Sequence, residues 1–212
     1  MKKIGIIVES EFSQLFEAMT KAGWDSRSKY DPANGAFLIT RFTHKKNPQQ
    51  VIICNGIRDE IAAAAATEFL IAAYHVEGVI DFSRAYPIID TYNNQTVMLT
   101  SLKPYEESPE WIYSSFKLCG KGLAQAGEIA ILVSCISNSK INATKMRAPE
   151  VGCVYDNIAA GIAMTAARHH LPWLSIKSVS NMSADCYNTD SNPIIQSGCK
   201  LLLQLLATLS PS

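Results

Sequence analysis

The sequence lacks the features that mark nucleic-acid-binding and membrane proteins. Lysine and arginine together number 19, as do aspartate and glutamate, so the formal net charge is zero and no polybasic run occurs. This balance argues against nucleic acid as a partner. No apolar run reaches roughly 18 residues, so we expect no membrane span. Because zero net charge removes one barrier to self-association, we expect a homodimer or a higher homo-oligomer.

Cysteines with metal-ligand spacing are also lacking. The six cysteines are scattered without a C-x-x-C pair, which predicts reduced, mostly buried thiols in a cytoplasmic protein and no metal site. The apolar run at 4–8 is too short for the core of a signal peptide and is typical of a buried strand. No linker, repeat or low-complexity tract divides residues 1–212, so we expect one domain.

What the sequence does contain is a regular alternation of predicted strands and helices. Strands are predicted at 4–8, 51–54, 78–82, 96–100, 129–134 and 173–179, with an early hairpin within 24–46. Helices are predicted at 11–21, 60–74, 108–126, after 156, and at 194–209. Asp59 is expected to cap the 60–74 helix. This order predicts an α/β layered fold with a mixed, largely parallel central sheet.

The stretch 154–181 has the most informative pattern in the chain. Asp156 is a predicted N-cap, and the small residues after it would let the helix pack closely on the sheet. Pro172 ends this helix, and the alternating strand at 173–179 follows. Ligands in open α/β sheets collect beyond the carboxyl ends of the strands. Asn181, just past such an end, is therefore the first polar residue that we assign to a candidate site.

Polar residues follow other predicted strands as well. Glu11 comes after the first strand, where the alternative is a solvated carboxylate favoured by the helix dipole. Ser83 and Arg84 follow the 78–82 strand, and an arginine there is either a surface residue or a ligand of phosphate or carboxylate. Ser134 and Asn138 follow the 129–134 strand and either contact a base or belong to a polar loop.

Four stretches of this chain resemble the purine nucleoside phosphorylase and nucleosidase superfamily. They are I-G-I-I-V-E-S-E, N-G-I-R-D-E-I-A-A-A-A-A-T, G-V-I-D-F-S-R-A-Y-P, and the 154–181 unit with Y-D-N-I-A-A-G, P-W-L and S-N. The Ser-Asn ending, the Ala-Tyr-Pro loop and the short length are most similar to the futalosine hydrolase branch, followed by the methylthioadenosine/adenosylhomocysteine nucleosidases. The resemblance implies a three-layer phosphorylase/hydrolase-like fold. It also implies an enzyme that cleaves the N-glycosidic bond of a purine nucleoside without a cofactor.

The resemblance also implies catalytic roles at two strand ends. Asn181 occupies the position that contacts the leaving base; its amide can donate a hydrogen bond but cannot deliver a proton. The alignment places Ser13 where the family has its water-activating glutamate, with Glu9 and Glu11 close by. Glu11 takes that role if the alignment shifts by two residues.

Substrate contacts are implied around the 154–181 unit and the small-residue loop. Ile158 stands where a family glutamate holds the ribose hydroxyls, so Tyr155 or Asp156 is the nearest polar substitute. Asp185 is matched to a later aspartate of the family. Ser83 and Arg84 fall in the ribose/phosphate loop, and a phosphorylase would use Arg84 to bind phosphate. The open alternatives are a binding protein for nucleosides or bases that has lost turnover, and a purely structural oligomer subunit.

Overall fold

The computed structural model describes residues 3–9, 13–30, 37–87, 92–93, 95–103, 112–113, 131–137, 154–180 and 193–208. Its strands are β1 (Lys3–Glu9), β2 (Trp24–Tyr30), β3 (Leu38–His44), β4 (Asn47–Ile57), β5 (Gly78–Pro87), β6 (Gln95–Lys103), β7 (Ile112–Tyr113), β8 (Ile131–Ser137), β9 (Val154–Asp156) and β10 (Trp173–Val179). Its helices are α1 (Ser13–Lys21), α2 (Glu60–Tyr74), α3 (Ala159–Arg168) and α4 (Pro193–Thr208).

These strands form one mixed sheet. Their order is β10-β6-β8-β9-β5-β1-β4-β3-β2, with β7 paired to β6. The centre is parallel, because β1 lies between β4 and β5, and β5 also pairs in parallel with β10. The predicted hairpin is β2–β3, which continues antiparallel to β4. The carboxyl ends of β4, β1, β5 and β10 therefore meet at one edge, where α/β folds bind ligands.

Part of the sheet closes into a ring. β5 pairs with β10 along Val79 to Ala85 and then with β9 at Tyr86 and Pro87. The remaining pairs of the ring are β10 with β6, β6 with β8, and β8 with β9. Closure protects strand edges that would otherwise be open to pairing with another chain. It also brings β9 and β10 against the same long strand.

Helices cover both faces of the sheet, which confirms the predicted three-layer α/β fold. On one face α1 and α4 pack together, and their buried residues join Ile80, Phe82 and Ile176 in an apolar core. On the other face α2 and α3 pack together, over residues that include Val79 and Trp173. None of the helices in the described ranges has the length and hydropathy of a membrane-spanning segment.

The start of α2 follows the sequence prediction. Asp59 is its N-cap, and the side-chain Oδ1 accepts a hydrogen bond from the Ala62 N–H at 2.8 Å. The helix ends where His75 takes a left-handed conformation with φ of 53°, and its N–H donates to the Ile71 carbonyl at 3.0 Å. Both ends thus satisfy backbone groups that an uncapped helix would leave without partners.

The small residues of α3 pack in two directions. Ala159, Ala160 and Ala163 pack on the sheet, as the sequence predicted, whereas Gly161 lies against α2. A Cβ atom built on Gly161 would lie 2.2 Å from the Glu60 carbonyl oxygen and 2.9 Å from the Ala64 nitrogen. Both of these atoms belong to the backbone at the start of α2, so neither can move aside as a side chain would. Glycine at this position therefore sets how closely the two helices approach.

Two further segments differ from the sequence prediction. Residues 83–87, predicted as a loop, belong to β5 because their backbone pairs with β10 and then with β9. Ile112 and Tyr113 lie in the predicted 108–126 helix but form β7 against β6; the rest of that helix lies outside the described residues. In both places pairing with a distant strand overrides the local sequence pattern.

Candidate functional site

The alternation of side chains along β5 and β10 separates apolar residues from polar ones. Successive strand residues point to opposite faces, so Ile80 joins the core under α1 and α4, whereas Asp81 and Ser83 point the other way. Strand pairing places Ser175 opposite Asp81, and Lys177 opposite Ser83. Each of these four polar residues is at most 1% exposed. The protein therefore buries a polar group between the sheet and the α2–α3 layer.

These side chains form a connected network. The Lys177 Nζ lies 2.5 Å from Asp81 Oδ2 and donates to Ser83 Oγ at 2.5 Å. Ser83 Oγ donates to Asp81 Oδ1 at 2.7 Å, and Ser175 Oγ donates to Asp81 Oδ2 at 2.6 Å. Lys177 Nζ also forms an ion pair with Asp156 Oδ2. We call Asp81, Ser83, Asp156, Ser175 and Lys177 the ionic cluster.

Asp156 connects the ionic cluster to the start of α3. It is the last residue of β9, and the N-cap of α3 is Ile158, so the prediction that Asp156 is the N-cap was wrong. The Ala159 N–H nevertheless donates to Asp156 Oδ1 at 3.2 Å and to Oδ2 at 3.3 Å. Asp156 has no exposed surface. Its carboxylate thus finds its partners, Lys177 and Ala159, inside the protein.

The ionic cluster holds two carboxylates and one ammonium away from water. Burial alone would lower the pKa of Lys177, but the Asp156 and Asp81 carboxylates raise it above its usual value, so the ammonium stays charged. Burial also raises the pKa of Asp81, and the Lys177 ammonium opposes that change. Removing one partner of such a buried pair leaves an uncompensated charge and costs about 3–5 kcal/mol.

Glu9, the last residue of β1, lies beside the ionic cluster. Its Oε2 accepts a hydrogen bond from the Arg84 backbone N–H of β5 at 3.3 Å. Burial raises the pKa of Glu9 above its usual 4.5; the Arg84 N–H and the Lys177 ammonium oppose the shift, and the Asp156 carboxylate adds to it. Glu9 is only partly buried. Unlike the two aspartates, Glu9 is not fully buried.

A stacked aromatic pair adjoins the ionic cluster. Tyr155 precedes Asp156 in β9 and faces Tyr86 of β5 in the strand pairing. The two rings stack with centroids 5.0 Å apart and an interplanar angle of 27°. Tyr155 is buried, which raises the pKa of its hydroxyl, whereas Tyr86 is half-buried. Tyr155, predicted to contact substrate, therefore has its ring covered by Tyr86.

The structure brings together some of the residues predicted from the sequence. Ser83 and Asp156 belong to the ionic cluster, and Arg84 follows Ser83 in β5 and is half-buried. Ser13 is the exposed first residue of α1, whose buried side chains pack on the opposite face of the sheet. Ser134 lies within β8 and not after a strand. Four predicted site residues lie outside the described ranges: Asn181, Glu11, Asn138 and Asp185.

Three central members of the site, Lys177, Asp81 and Ser175, were not predicted from the sequence. A signal was present, because polar residues take alternate positions within the apolar strands W-L-S-I-K-S-V and G-V-I-D-F-S. Alternation shows that such residues share a face of their own strand. It does not show which strands are neighbours or which residues are opposite one another, and both were needed to find the ionic cluster.

These groups are suited to proton transfer, because the carboxyl group of Glu9 lies beside the charges of the ionic cluster. In the described part of the chain, no group of three or more His, Cys, Asp and Glu side chains is placed to hold a metal ion. Glu9 has a carboxyl group with a raised pKa and is a partly buried residue. Perturbed carboxyl groups in such surroundings are suited to act as a general acid or base.

The order and packing of these elements give the fold seen in solved structures of an MTA/SAH nucleosidase and a futalosine hydrolase. The sequence itself matches no protein-family model and no curated protein. The match is to solved structures, and it confirms at the level of the fold the resemblance predicted from the sequence.

Three solved structures illustrate the similarity. The native futalosine hydrolase of Helicobacter pylori strain 26695 has a TM-score of 0.80 at 14% identity, covering 98% of both chains. The Helicobacter pylori MTAN has a TM-score of 0.78 at 16% identity, covering 98% of this chain and 100% of the other. The MTA/SAH nucleosidase of Colwellia psychrerythraea 34H, in complex with adenine, has a TM-score of 0.78 at 18% identity, covering 99% and 96%. At these identities the shared property is the fold.

Proposed function

We propose that this protein is a nucleosidase that hydrolyses the N-glycosidic bond of a purine nucleoside. The observation that carries the proposal is Glu9, a partly buried carboxyl group at the carboxyl end of a central strand, beside the fixed charges of the ionic cluster. The fold supports it, since one solved neighbour is in complex with adenine and another, a mutant enzyme, has 5′-methylthioadenosine in its active site. The proposed substrate class is a methylthioadenosine-like or futalosine-like nucleoside.

In the proposed reaction, a water oxygen attacks C1′ of the ribosyl group as the C1′–N bond breaks. The electron pair of that bond passes to the purine, which takes up a proton from solvent, and Glu9 accepts the proton lost by the attacking water. The products are the free base and the sugar with a new hydroxyl at C1′. A general base of this kind typically contributes about 10²–10⁴-fold to the rate. Asn181 is proposed to hydrogen-bond the leaving base.

One contact favours water over phosphate as the nucleophile. The Arg84 backbone N–H already donates to the Glu9 carboxylate. The ionised carboxylate therefore already accepts from an N–H group that a phosphate oxygen would need. Its negative charge also repels a second anion such as phosphate. Hydrolysis is therefore preferred here to phosphorolysis, in which Arg84 would bind phosphate.

A second candidate function is nucleoside binding without turnover. It is favoured by the state of Asp156, whose carboxylate is held by Lys177 and Ala159 and has no exposed surface. Ile158, at the position where the resemblance implies a ribose-binding glutamate, is apolar and also fully buried. Asp156 and Ile158 therefore provide no polar contact for ribose. Binding would then depend on contacts with the base.

The test measures release of free base from methylthioadenosine and from futalosine, with and without phosphate. We expect release without phosphate in the wild type, and a rate lower by about 10²–10⁴-fold in Glu9→Gln, because the amide cannot accept the proton. Glu17→Gln is the matched control, since Glu17 is an exposed carboxylate of α1 paired with Lys21. Phosphate-dependent release would establish a phosphorylase instead, thermal stabilisation by adenine without release would establish the binding protein, and neither effect would end the nucleoside proposal.

A second variant tests the proposed role of Asn181. If its amide hydrogen-bonds the base, Asn181→Ala should weaken adenine binding by about 5- to 150-fold, since a lost hydrogen bond in a closed site costs about 1–3 kcal/mol. Isothermal titration of both proteins with adenine measures the difference. An unchanged affinity would remove Asn181 from the site without affecting the role proposed for Glu9. Size-exclusion chromatography in the same experiments tests the expected homo-oligomer.

A further inference from the structure

Lys177 connects three strands at the point where the ring of strands closes. From β10, its Nζ reaches Asp81 Oδ2 and Ser83 Oγ of β5, each at 2.5 Å, and Asp156 of β9. The residue has no exposed surface. A fully buried ammonium with carboxylate and hydroxyl partners on two other strands is costly to form and has a fixed position. The ammonium therefore acts together with burial on the charge of Asp81.

We propose that Lys177 is a positioning residue whose ammonium pins Asp81 and Asp156 as ion-pair partners and leaves Glu9 as the carboxyl group of the site that exchanges protons. The inference rests on the proposed function, in which Glu9 accepts a proton from water. Lys177 has no exposed surface, so it cannot contact substrate. Its effect on the reaction is therefore electrostatic and acts through the charges around Glu9.

The hydrogen bonds divide the three carboxyl groups into two kinds. Asp81 uses both oxygens, with Ser83 on Oδ1 and with Ser175 and Lys177 on Oδ2. Asp156 likewise uses both oxygens. A proton on either aspartate would displace one of these partners.

Glu9 differs from the two aspartates in its contacts and its exposure. It accepts a long hydrogen bond of 3.3 Å from the Arg84 N–H, and it is partly exposed. Proton exchange with water is therefore easiest at Glu9.

In the described part of the chain, charged groups on three strands act on Glu9. Arg84 on β5 and Lys177 on β10 favour its ionised form, and Asp156 at the end of β9 disfavours it, in addition to the effect of burial. Replacing Lys177 by a neutral residue would therefore raise the pKa of Glu9. Replacing Asp156 by asparagine would lower the pKa of Glu9, because a like charge is removed. In a variant with both changes the two effects oppose each other.

The experiment follows the titration of the Glu9 carboxyl carbon by NMR, with the signal assigned from its loss in Glu9→Gln. This readout needs no substrate. The variants are Lys177→Arg, Lys177→Met, Asp156→Asn and the double variant Lys177→Met/Asp156→Asn. We expect the Glu9 midpoint to rise in Lys177→Met, to fall in Asp156→Asn, to lie between these in the double variant, and to stay near the wild-type value in Lys177→Arg. The acid limb of the pH profile for base release should move in the same directions.

The comparison of the double variant with Asp156→Asn keeps the test valid if Lys177→Met does not fold. The double variant removes both members of the Lys177–Asp156 pair and leaves only Asp81 without its ammonium, which is less damaging than leaving both aspartates unpaired. If its Glu9 midpoint equals that of Asp156→Asn, Lys177 has only a structural role and the inference is overturned.

The titration and the assay fail in different ways. Shifted midpoints without base release in the wild type would uphold the electrostatic effect of Lys177 and reject the proposed function. Base release with midpoints that do not move would uphold the function and reject the inference for Lys177.

Discussion

The two faces of β5 and β10 are equally buried but chemically opposite. Under α1 and α4, Ile80 and Ile176 belong to an apolar core. One residue further along each strand, Asp81 and Lys177 form an ion pair under the α2–α3 layer, with no exposed surface on either side chain. Burial is therefore a poor guide to role in this protein. The apolar face contributes stability through area removed from water, whereas the polar face is retained for the positions and charges that it fixes.

The two faces should also respond differently to mutation. An apolar core depends on volume and tolerates hydrophobic replacements of similar size. A buried charge depends on particular partners, so the cost of changing one residue depends on whether its partner is still charged. Mutations and pH changes can test this difference between the apolar and the polar face, and they are taken from the largest expected effect to the smallest.

Neighbouring residues of β10 give the most direct comparison. Ile176→Ala should lower the free energy of unfolding by about 2–5 kcal/mol through a cavity, and Lys177→Met by about 3–5 kcal/mol through unpaired carboxylates. Adding Asp156→Asn should recover part of the loss in Lys177→Met, but should add its own cost to Ile176→Ala. Urea unfolding of the single and double variants measures both results. If Asp156→Asn adds independently to both changes, the two faces do not differ in this way.

The contact between α2 and α3 predicts a smaller loss. Gly161→Ala should cost about 1–3 kcal/mol, because the new methyl group would overlap the Glu60 carbonyl and force the helices apart. Met164→Ala is the control on the same helix, since Met164 is an exposed side chain, and it should stay within about 0.5 kcal/mol of the wild type. Thermal unfolding of both variants checks the difference. Equal melting temperatures for Gly161→Ala and the wild type would show that the helix spacing is adjustable.

The smallest expected effect is the pH dependence of stability at Glu9. Because its pKa is raised on folding, the stability that the protonated Glu9 contributes is complete below pH 4.5 and is lost as the pH rises through the folded value. Glu9→Gln removes the group that titrates, so its stability should fall less than that of the wild type as the pH increases over this window. Denaturant unfolding across that range gives the two slopes. If the stability of the wild type and of Glu9→Gln changes in parallel with pH, the Glu9 carboxyl has the same pKa in the folded and unfolded states.

Local chemistry made several elements predictable from the sequence. Asp59 is an N-cap with a free hydrogen-bonding oxygen, and the alanine-rich segment after it is helix between the predicted bounds. The strand at 173–179 was predicted with its exact limits because Pro172 and alternating side chains mark its start and its length. These features depend on residues close together in the sequence. The same holds for the resemblance to the nucleosidases, which rests on short motifs in a fixed order.

Other features depended on contacts between distant segments. Residues 83–87 have turn-like composition but form strand because β9 and β10 pair with them. Asp81 and Lys177 are 96 positions apart, and no local pattern places one beside the other.

The sequence by itself determined the layers of this protein: where most of the described strands and helices lie, that the central strands are buried, and which family the motifs resemble. The tertiary structure alone decided that Asp81, Asp156 and Lys177 share one buried network and that Glu9 lies beside it as a partly buried residue. The physical reason is that element formation follows from the periodicity of neighbouring side chains. The charge state of a carboxyl group instead follows from which distant residues the strand pairing brings within a few ångströms of it.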